Sequence, residues 1–524
     1  MLLSFAVPVY ALPAAEMYAL GDVDNSGEIL ANDALLTLQG VVGKTTLDEK
    51  QSDAADVDEK SGLSATDALL ILQKVVGKIT AFPRSERYAD FTISEEALRD
   101  KIAGAWVGQM AGVAWSAPTE FQYNGVIMPE SALPEWKTTT INDAFYQDDL
   151  YVEIPFMQAM IEKGFDCSID DLGEAFENTT FSLAHANYLG RYNLSKGIKA
   201  SEAGSYLYNY HADDINWQIE SDFLGSVYPG MINEAAERAF EIGHLMNYGD
   251  GVYGGVFVSA MHAAGFTAKT LDEVIAAGLD AIPDGTKFKN LMNDVMACYK
   301  EGKTWEEAWQ LLEDKWNGTD KCPDAPGKMN IDAKINAGYV LIGLLYGEGD
   351  FEKSMAISMR CGQDSDCNPS TVAGVLGKLY GLSGIPDKYK SGADYDGKKF
   401  SHTNYTLNDA INATVTLAEK SLEKKQAVLN DGVYSFSANT IVNPVKYEQW
   451  PDDEVTVYIS AQAFADMSVS LDVKYVSPKN PTSIMLDMGD GTVYNKIVAK
   501  HTYTQGGTYL IRCKIGRASC RERV

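Results

Sequence analysis

Two acidic loops near the start of the chain carry side chains whose type and spacing could bind a metal. The loops, 22–33 (DVDNSGEILAND) and 56–67 (DVDEKSGLSATD), are each twelve residues long and stand 34 positions apart in a chain of 524 residues. Calcium is a hard cation that takes about six to eight oxygens, and a loop with carboxylates at positions 1, 3 and 12 and a carbonyl at 7 can wrap one ion. In the first loop Asp22, Asp24, Ser26 and Asp33 fill positions 1, 3, 5 and 12, with Gly27 at the turn and the Glu28 carbonyl at 7. Asp56, Asp58 and Asp67 repeat the pattern in the second, where Lys60 at position 5 offers only its carbonyl, so weaker binding is expected there. Acidic turns that merely cap helices are the plain alternative, and the doubling argues against it. The apolar runs that follow, 34–44 and 68–78, differ only at Thr37/Ile71 and Gly40/Lys74, so a loop-plus-helix unit has been duplicated.

This segment, taken as a domain over 18–80, resembles a dockerin, the small α module with two calcium loops that docks secreted plant-wall enzymes onto the cohesins of a scaffoldin. The resemblance implies two bound Ca²⁺, a cohesin partner and attachment to a cellulosome. It also implies that loop positions 10 and 11, here Ala31, Asn32, Ala65 and Thr66, choose the cohesin.

Two carboxylate pairs stand out further along, Asp148-Asp149 in YQDDLYVEIPF and Asp364/Asp366 in CGQDSDCNPSTVAG. Each lies at the start of an apolar helical run, the second before Asn368 as N-cap and Pro369 at the first helical position. A carboxylate there can cap amides and complement the helix dipole for about 0.3 to 1 kcal/mol. Alone, either pair reads first as a cap.

Together the pairs resemble the ADP-ribosylglycohydrolase family, whose all-α domain holds divalent metal between an early Thr-Asp-Asp-Thr and a late Gly-Asp-Thr-Asp-Thr motif. Segment 102–121 is similar to that family's first helix, with a small-residue face and a glutamate shortly after, here Glu120. Segments 211–230 and 243–255 look like motifs of a bacterial branch of it. The resemblance implies a domain over 92–425 in which Asp148, Asp149, Asp364 and Asp366 ligate one or two metal ions. Gln147 stands for the first threonine and Cys367 for the last. Carboxylate oxygens favour Mg²⁺, Mn²⁺ or Ca²⁺ over zinc, and a thiol at 367 weakens a second position. A zinc site on Cys361, Cys367 and a histidine lacks paired ligand spacing. The implied chemistry is water attack at an anomeric carbon, with Glu120, Asp149 and Asp364 as the catalytic groups and Glu120 positioning or deprotonating the water. His211, Asp213, Asp214, Glu220, Asp222 and Asp250 are candidates for substrate contacts or a second acid. His185 and His262 lie on apolar stretches and read as core residues.

The net charge of −29 opposes nucleic-acid phosphate and anionic lipid as partners, and 45% apolar content implies folded cores. Residues 1–15 (MLLSFAVPVYALPAA) look like part of a secretory signal without a basic start, so export is expected. Residues 515–524 (IGRASCRERV) look like translated sequencing adapter and are set aside. The six remaining cysteines are too scattered for a disulfide scaffold.

A polar linker over 81–91 leads into helical periodicity from Thr92 or Ser94, and the following 330 or so residues, with runs such as 148–163 and 371–380, read as all-α. From 430 to 514 the texture is all-β. There LDMGDG (486–491) and HTYTQGGTYL (501–510) resemble a PKD domain, an immunoglobulin-like spacer, with a turn at 489–491 and Tyr503 in its core. The reading is a multidomain, secreted, metal-dependent glycoside hydrolase acting on a carbohydrate bond. The alternatives are an ADP-ribosyl-protein hydrolase, or a sugar-binding module on the same fold that lost turnover, as Gln147 and Cys367 suggest.

Overall fold

The computed structural model describes residues 20–58, 62–79, 82–83, 88–319, 328–477, 483–516 and 518–523. The partial signal (1–15), Lys60 and Cys322 lie outside them. The chain divides into two compact units, one of the described residues up to Asp90 with Ala438–Asn443, the other of Phe91–Ser437 and the described residues from Pro444 onward.

In the first unit, helices Ala31–Val41, Glu49–Ala55 and Ala65–Val75 enclose a small core of Val23, Ala34, Ala55, Val57, Ile71 and Phe82. The last acidic residue of each loop does the same work. Asp33 accepts from the amides of Val23 at 2.7 Å, Asp24 at 3.1 Å and Leu30 at 2.7 Å. Asp67 accepts from those of Val57 at 2.9 Å, Asp58 at 2.9 Å and Ser64 at 2.8 Å. The ligand atoms of Asp22, Asp24 and Asp33, and those of Asp56, Asp58 and Asp67, form two groups, each within 4.8 Å, that could hold an ion. The positions expected to choose a partner, Ala31, Asn32, Ala65 and Thr66, are all exposed.

The second unit is helical from Glu95 to Lys424 among the described residues. Strand Tyr88–Ser94 runs through the end of the expected linker, and Ser94 then caps helix Glu95–Ser116 by accepting from Ala97 N at 3.0 Å. This helix is buried from Ile102 to Ser116 and lies backbone-to-backbone against Cys367–Gly384. Built-in Cβ atoms at Gly104, Gly108 and Gly112 would meet the carbonyl oxygens of Gly377, Ala373 and Pro369 at 2.2, 2.1 and 2.3 Å, so only glycine permits the approach.

One expected helix is divided and one begins earlier than expected. Segment 148–163 is not one helix but Asp148–Tyr151 followed by Glu153–Lys163. Pro155 cannot sit deep in a helix, because its ring would strike the carbonyl four residues back, and the restart leaves it in a first turn. The late helix begins at Cys367 with Asp366 as N-cap, two residues before Asn368, whose amide is taken up by Asn336 Oδ1 at 2.9 Å.

After the antiparallel pair Val428–Asn430 and Val433–Asn439, the C-terminal region carries two further small antiparallel sheets. Thr456–Ala463, Ser468–Val476 and Lys500–Thr502 form one, and Ile484–Asp487, Val493–Tyr494, Leu510–Ile515 and Ala518–Arg523 the other. They share a core with Val469, Leu486, Ile511 and Tyr503, whose hydroxyl donates to Met488 O at 3.0 Å. Ala518–Arg523, from the stretch set aside on sequence grounds, pairs with Leu510–Ile515. No helix among the described residues is long and apolar enough to cross a membrane.

Candidate active site

Glu120 follows the 3-10 turn Ala117–Thr119 that ends the first long helix. Three contacts fasten this turn to the segment bearing the second aspartate pair. The Thr119 and Ser365 hydroxyls are 2.8 Å apart, Ser116 Oγ donates to Asp366 O at 3.3 Å, and Phe121 N donates to Gln363 O at 3.0 Å. Gln363 has φ 57°, a left-handed conformation unusual for a side chain larger than asparagine and common at functional turns.

Neither Gln147 nor Asp366 makes a side-chain cap bond, although each occupies an N-cap position. The carboxylates gather instead. Ligand atoms of Asp364, Asp366 and Cys367 lie within 4.8 Å of one another. Both carboxylate oxygens of Asp149, and Oδ1 of Asp364 and of Asp366, are buried with no hydrogen-bond partner among the described residues. Burial holds Asp149 well above the ordinary carboxylate range, Asp148, Asp364 and Asp222 push it further, and Ser370 eases it without completing a bond. Burial likewise raises Asp366, reinforced by Asp364, Glu120 and Asp149. Asp364 and Asp148 are raised by burial too, against the bonds each receives. Asp148 is open to solvent yet ringed by protein atoms, as expected of a group in a concave recess. Glu120 is exposed at its surface yet crowded by protein atoms, and it is lifted to about 7, first by that partial desolvation and then by the charges of Asp364 and Asp148, with His185 opposing. The early and late pairs and Glu120 therefore feel one another's charge.

The structure adds Glu153 to this group. It is fully buried one turn after Asp149, both its oxygens lack a hydrogen-bond partner among the described residues, and burial with Asp222 and Asp149 raises it strongly. Its signal was a lone glutamate in the apolar run LYVEIPF, four residues beyond Asp149. Gln147 is half-buried at the start of the aspartate helix, and Cys367 is a buried thiol held neutral by desolvation and its carboxylate neighbours. Cys361 instead lies in the core, its carbonyl accepting from Trp309 Nε1 at 2.8 Å.

The remaining candidates separate. Glu220 is buried, bonded by Asn187 Nδ2 and raised by desolvation. Asp222 faces His262 Nε2 at 3.0 Å in the core, as expected of His262. Asp213 uses its carbonyl to accept from Ala333 N at 2.9 Å. Asp250 is taken up structurally, accepting from Phe288 N at 3.1 Å with Lys334 Nζ at 3.9 Å. His211 and Asp214 do come together, and His185, expected in the core, joins them with its side chain 28% exposed.

Residues 94–426 match the ADP-ribosylglycohydrolase family. The chain belongs to that family. Membership suggests a hydrolase acting on glycosyl bonds in the broad sense, typically Mg²⁺-dependent. A solved structure described as an ADP-ribosylglycohydrolase-related protein complex is similar at 14% identity and a TM-score of 0.43, covering 62% of this chain and 99% of its own. No curated protein matches the chain. The acidic groups of this family member fit a divalent ion, because crowded, donorless carboxylate oxygens are stabilised in their charged form by a hard cation.

Proposed function

We propose that this protein is a Mg²⁺-dependent glycoside hydrolase acting on a carbohydrate, exported and held on a cellulosome by its N-terminal module. The gathering of Asp148, Asp149, Asp364 and Asp366 with Glu120, from stretches far apart in sequence, carries the reading. Asp148, Asp149, Asp364 and Asp366, with Gln147 beside them, would hold the ion, which when bound supplies positive charge for sugar hydroxyls and an attacking water. Glu120, lifted to about 7, is poised to take the proton of that water near neutral pH. Asp149 and Asp364 fix the negative wall against which positive charge builds on the ring.

A cleft of about 780 Å³ has the size and lining to take a carbohydrate. Tyr188, Tyr192, Tyr208 and Tyr210 line it, with Glu454, Asp472 and Lys474 as polar groups, the mix of aromatic faces and hydrogen-bonding groups that pyranose or furanose rings use. Residues of helix His185–Ser195 line it, and the ring centroid of Tyr210 is 4.7 Å from that of His211. A screen of wall glycosides against ADP-ribosylated arginine and serine, with Mg²⁺ and with Asp364→Ala as control, decides. Release of ADP-ribose with every glycan untouched overturns the substrate. Sugar binding without metal-dependent hydrolysis in the native protein favours the binding-module alternative.

For the dockerin, the two oxygen groups are the support, with Ca²⁺ expected in both loops. Exposed apolar residues recur at equivalent positions of the repeats, Leu35/Leu69, Leu38/Leu72 and Val42/Val76, giving a cohesin two similar faces. Loss of cohesin capture on adding EGTA, with hydrolysis unchanged, is the expected outcome. Capture that survives EGTA rejects calcium-dependent docking. The C-terminal sheets serve as a PKD-like spacer in this reading.

A further inference from the structure

We propose that His185, His211 and Asp214 form a separate site for a borderline transition-metal cation of the Zn²⁺ or Fe²⁺ kind. Nδ1 of His211 lies 2.6 Å and Nδ1 of His185 3.3 Å from the same oxygen, Asp214 Oδ2. All three ligand atoms fall within 4.8 Å of one another. A carboxylate orienting a single imidazole would need only one of these approaches. Here two rings, T-shaped with centroids 5.1 Å apart, aim the same nitrogen at one point. Asp214 is fully buried, and its Oδ1 has no hydrogen-bond partner among the described residues.

The backbone is built to hold this arrangement. Asp214 N donates to His211 O at 2.9 Å, and Asp214 O accepts from Asn247 Nδ2 at 2.7 Å. Asn209 ties both histidine segments together, its Oδ1 accepting from His211 N at 2.9 Å and its Nδ2 donating to Ala186 O at 3.1 Å. His185 is kept at φ 50°, a strained conformation that surrounding structure must impose. Two neutral imidazoles and one carboxylate suit zinc or a ferrous ion, whereas Mg²⁺, Ca²⁺ and Mn²⁺ favour oxygen ligands. Three protein ligands leave positions open to water or substrate. The site stands independently of the hydrolase assignment, since none of its residues belongs to the Asp148, Asp149, Asp364 and Asp366 set.

The test uses metal-stripped full-length protein titrated with Co²⁺ in excess Mg²⁺ and Ca²⁺, which occupy the oxygen sites. The expected result is one equivalent of Co²⁺ with visible ligand-field bands, displaced by Zn²⁺. These bands should persist in Asp364→Asn and weaken at least tenfold in apparent affinity in His185→Ala and His211→Gln, each checked for native circular dichroism. His185 is partly exposed, so its variant tests the idea even if the buried His211 variant misfolds. No stoichiometric Co²⁺, or bands unchanged in His185→Ala, or bands lost only in Asp364→Asn, overturns the proposal.

Discussion

Asp149 has two buried oxygens without donors and carboxylates for neighbours, so in metal-free protein its charge opposes folding. Asp149→Asn should therefore leave the metal-free protein as stable as the native one or more so at pH 8, while losing the Mg²⁺-induced rise in melting temperature and metal-dependent hydrolysis. A variant that melts earlier without metal and still responds to Mg²⁺ would refute the metal role. Glu120 carries the pH argument. Its value is raised from 4.5 to about 7, so the stability linked to its protonated form is complete below 4.5 and lost as pH climbs through about 7. Metal-free protein should lose stability over that window, and Glu120→Gln should lose less. A bound cation pulls the value down, so the acidic limb of kcat/KM should fall at or below about 7, and Glu120→Gln should cost ~100-fold to ~10,000-fold in rate with little change in Mg²⁺ affinity. Equal rates in both proteins would remove Glu120 from the chemistry. These residues were legible from the two aspartate pairs and their family resemblance. Glu153 and His185 were not, because an apolar neighbourhood in sequence hides whether a buried polar group faces the core or a recess.

At the scale of elements, the site depends on two helices meeting at backbone distance. Gly104, Gly108 and Gly112 recur every four residues and line up on one face, where the opposing carbonyls of Gly377, Ala373 and Pro369 leave no room for a methyl group. That stripe was visible in IAGAWVGQMAG as a small-residue face. What it packs against was not, since the partner helix lies more than two hundred residues later and only tertiary structure brings it there. The cap at Asn368 misled for the same reason: residue type favours it as an N-cap, but Asn336 claims its side chain. Gly108→Ala should force the helices apart, costing about 1–3 kcal/mol by overpacking. Because the same helices end at Glu120 and begin beside Asp366, the variant should also bind Mg²⁺ more weakly while keeping all its ligands. Unaltered melting temperature and Mg²⁺ affinity would show that this contact does not position the site.

Across the whole of the larger unit, the C-terminal segment is fastened to the helices at a titratable joint. Glu448 accepts from His244 Nε2 at 2.9 Å and from Gly249 N at 2.7 Å, and Tyr253 Oη donates to the carbonyls of Lys446 at 3.1 Å and Glu448 at 3.0 Å. Trp450 stacks on Tyr206 beside this joint at 5.8 Å. Burial alone would lower His244, but the bond and charge of Glu448, helped by the Phe240 carbonyl, outweigh it and hold it above its ordinary 6.5. A histidine raised on folding gives stability that is complete below 6.5 and disappears as pH rises through the folded value. This window opens at 6.5, before that of Glu120 has closed at about 7, but saturating Mg²⁺ suppresses the carboxylate contribution, so the two can be told apart. With Mg²⁺ present, the native protein should lose melting temperature from pH 6.5 upward, and Glu448→Gln should lose less, starting from a lower value. Hydrogen exchange in 444–450, corrected for its intrinsic pH dependence, should accelerate over the same range in the native protein only. Parallel melting curves for the two proteins across that range would mean that the joint is held by Tyr253 and the Trp450 stack, with the ion pair contributing nothing measurable.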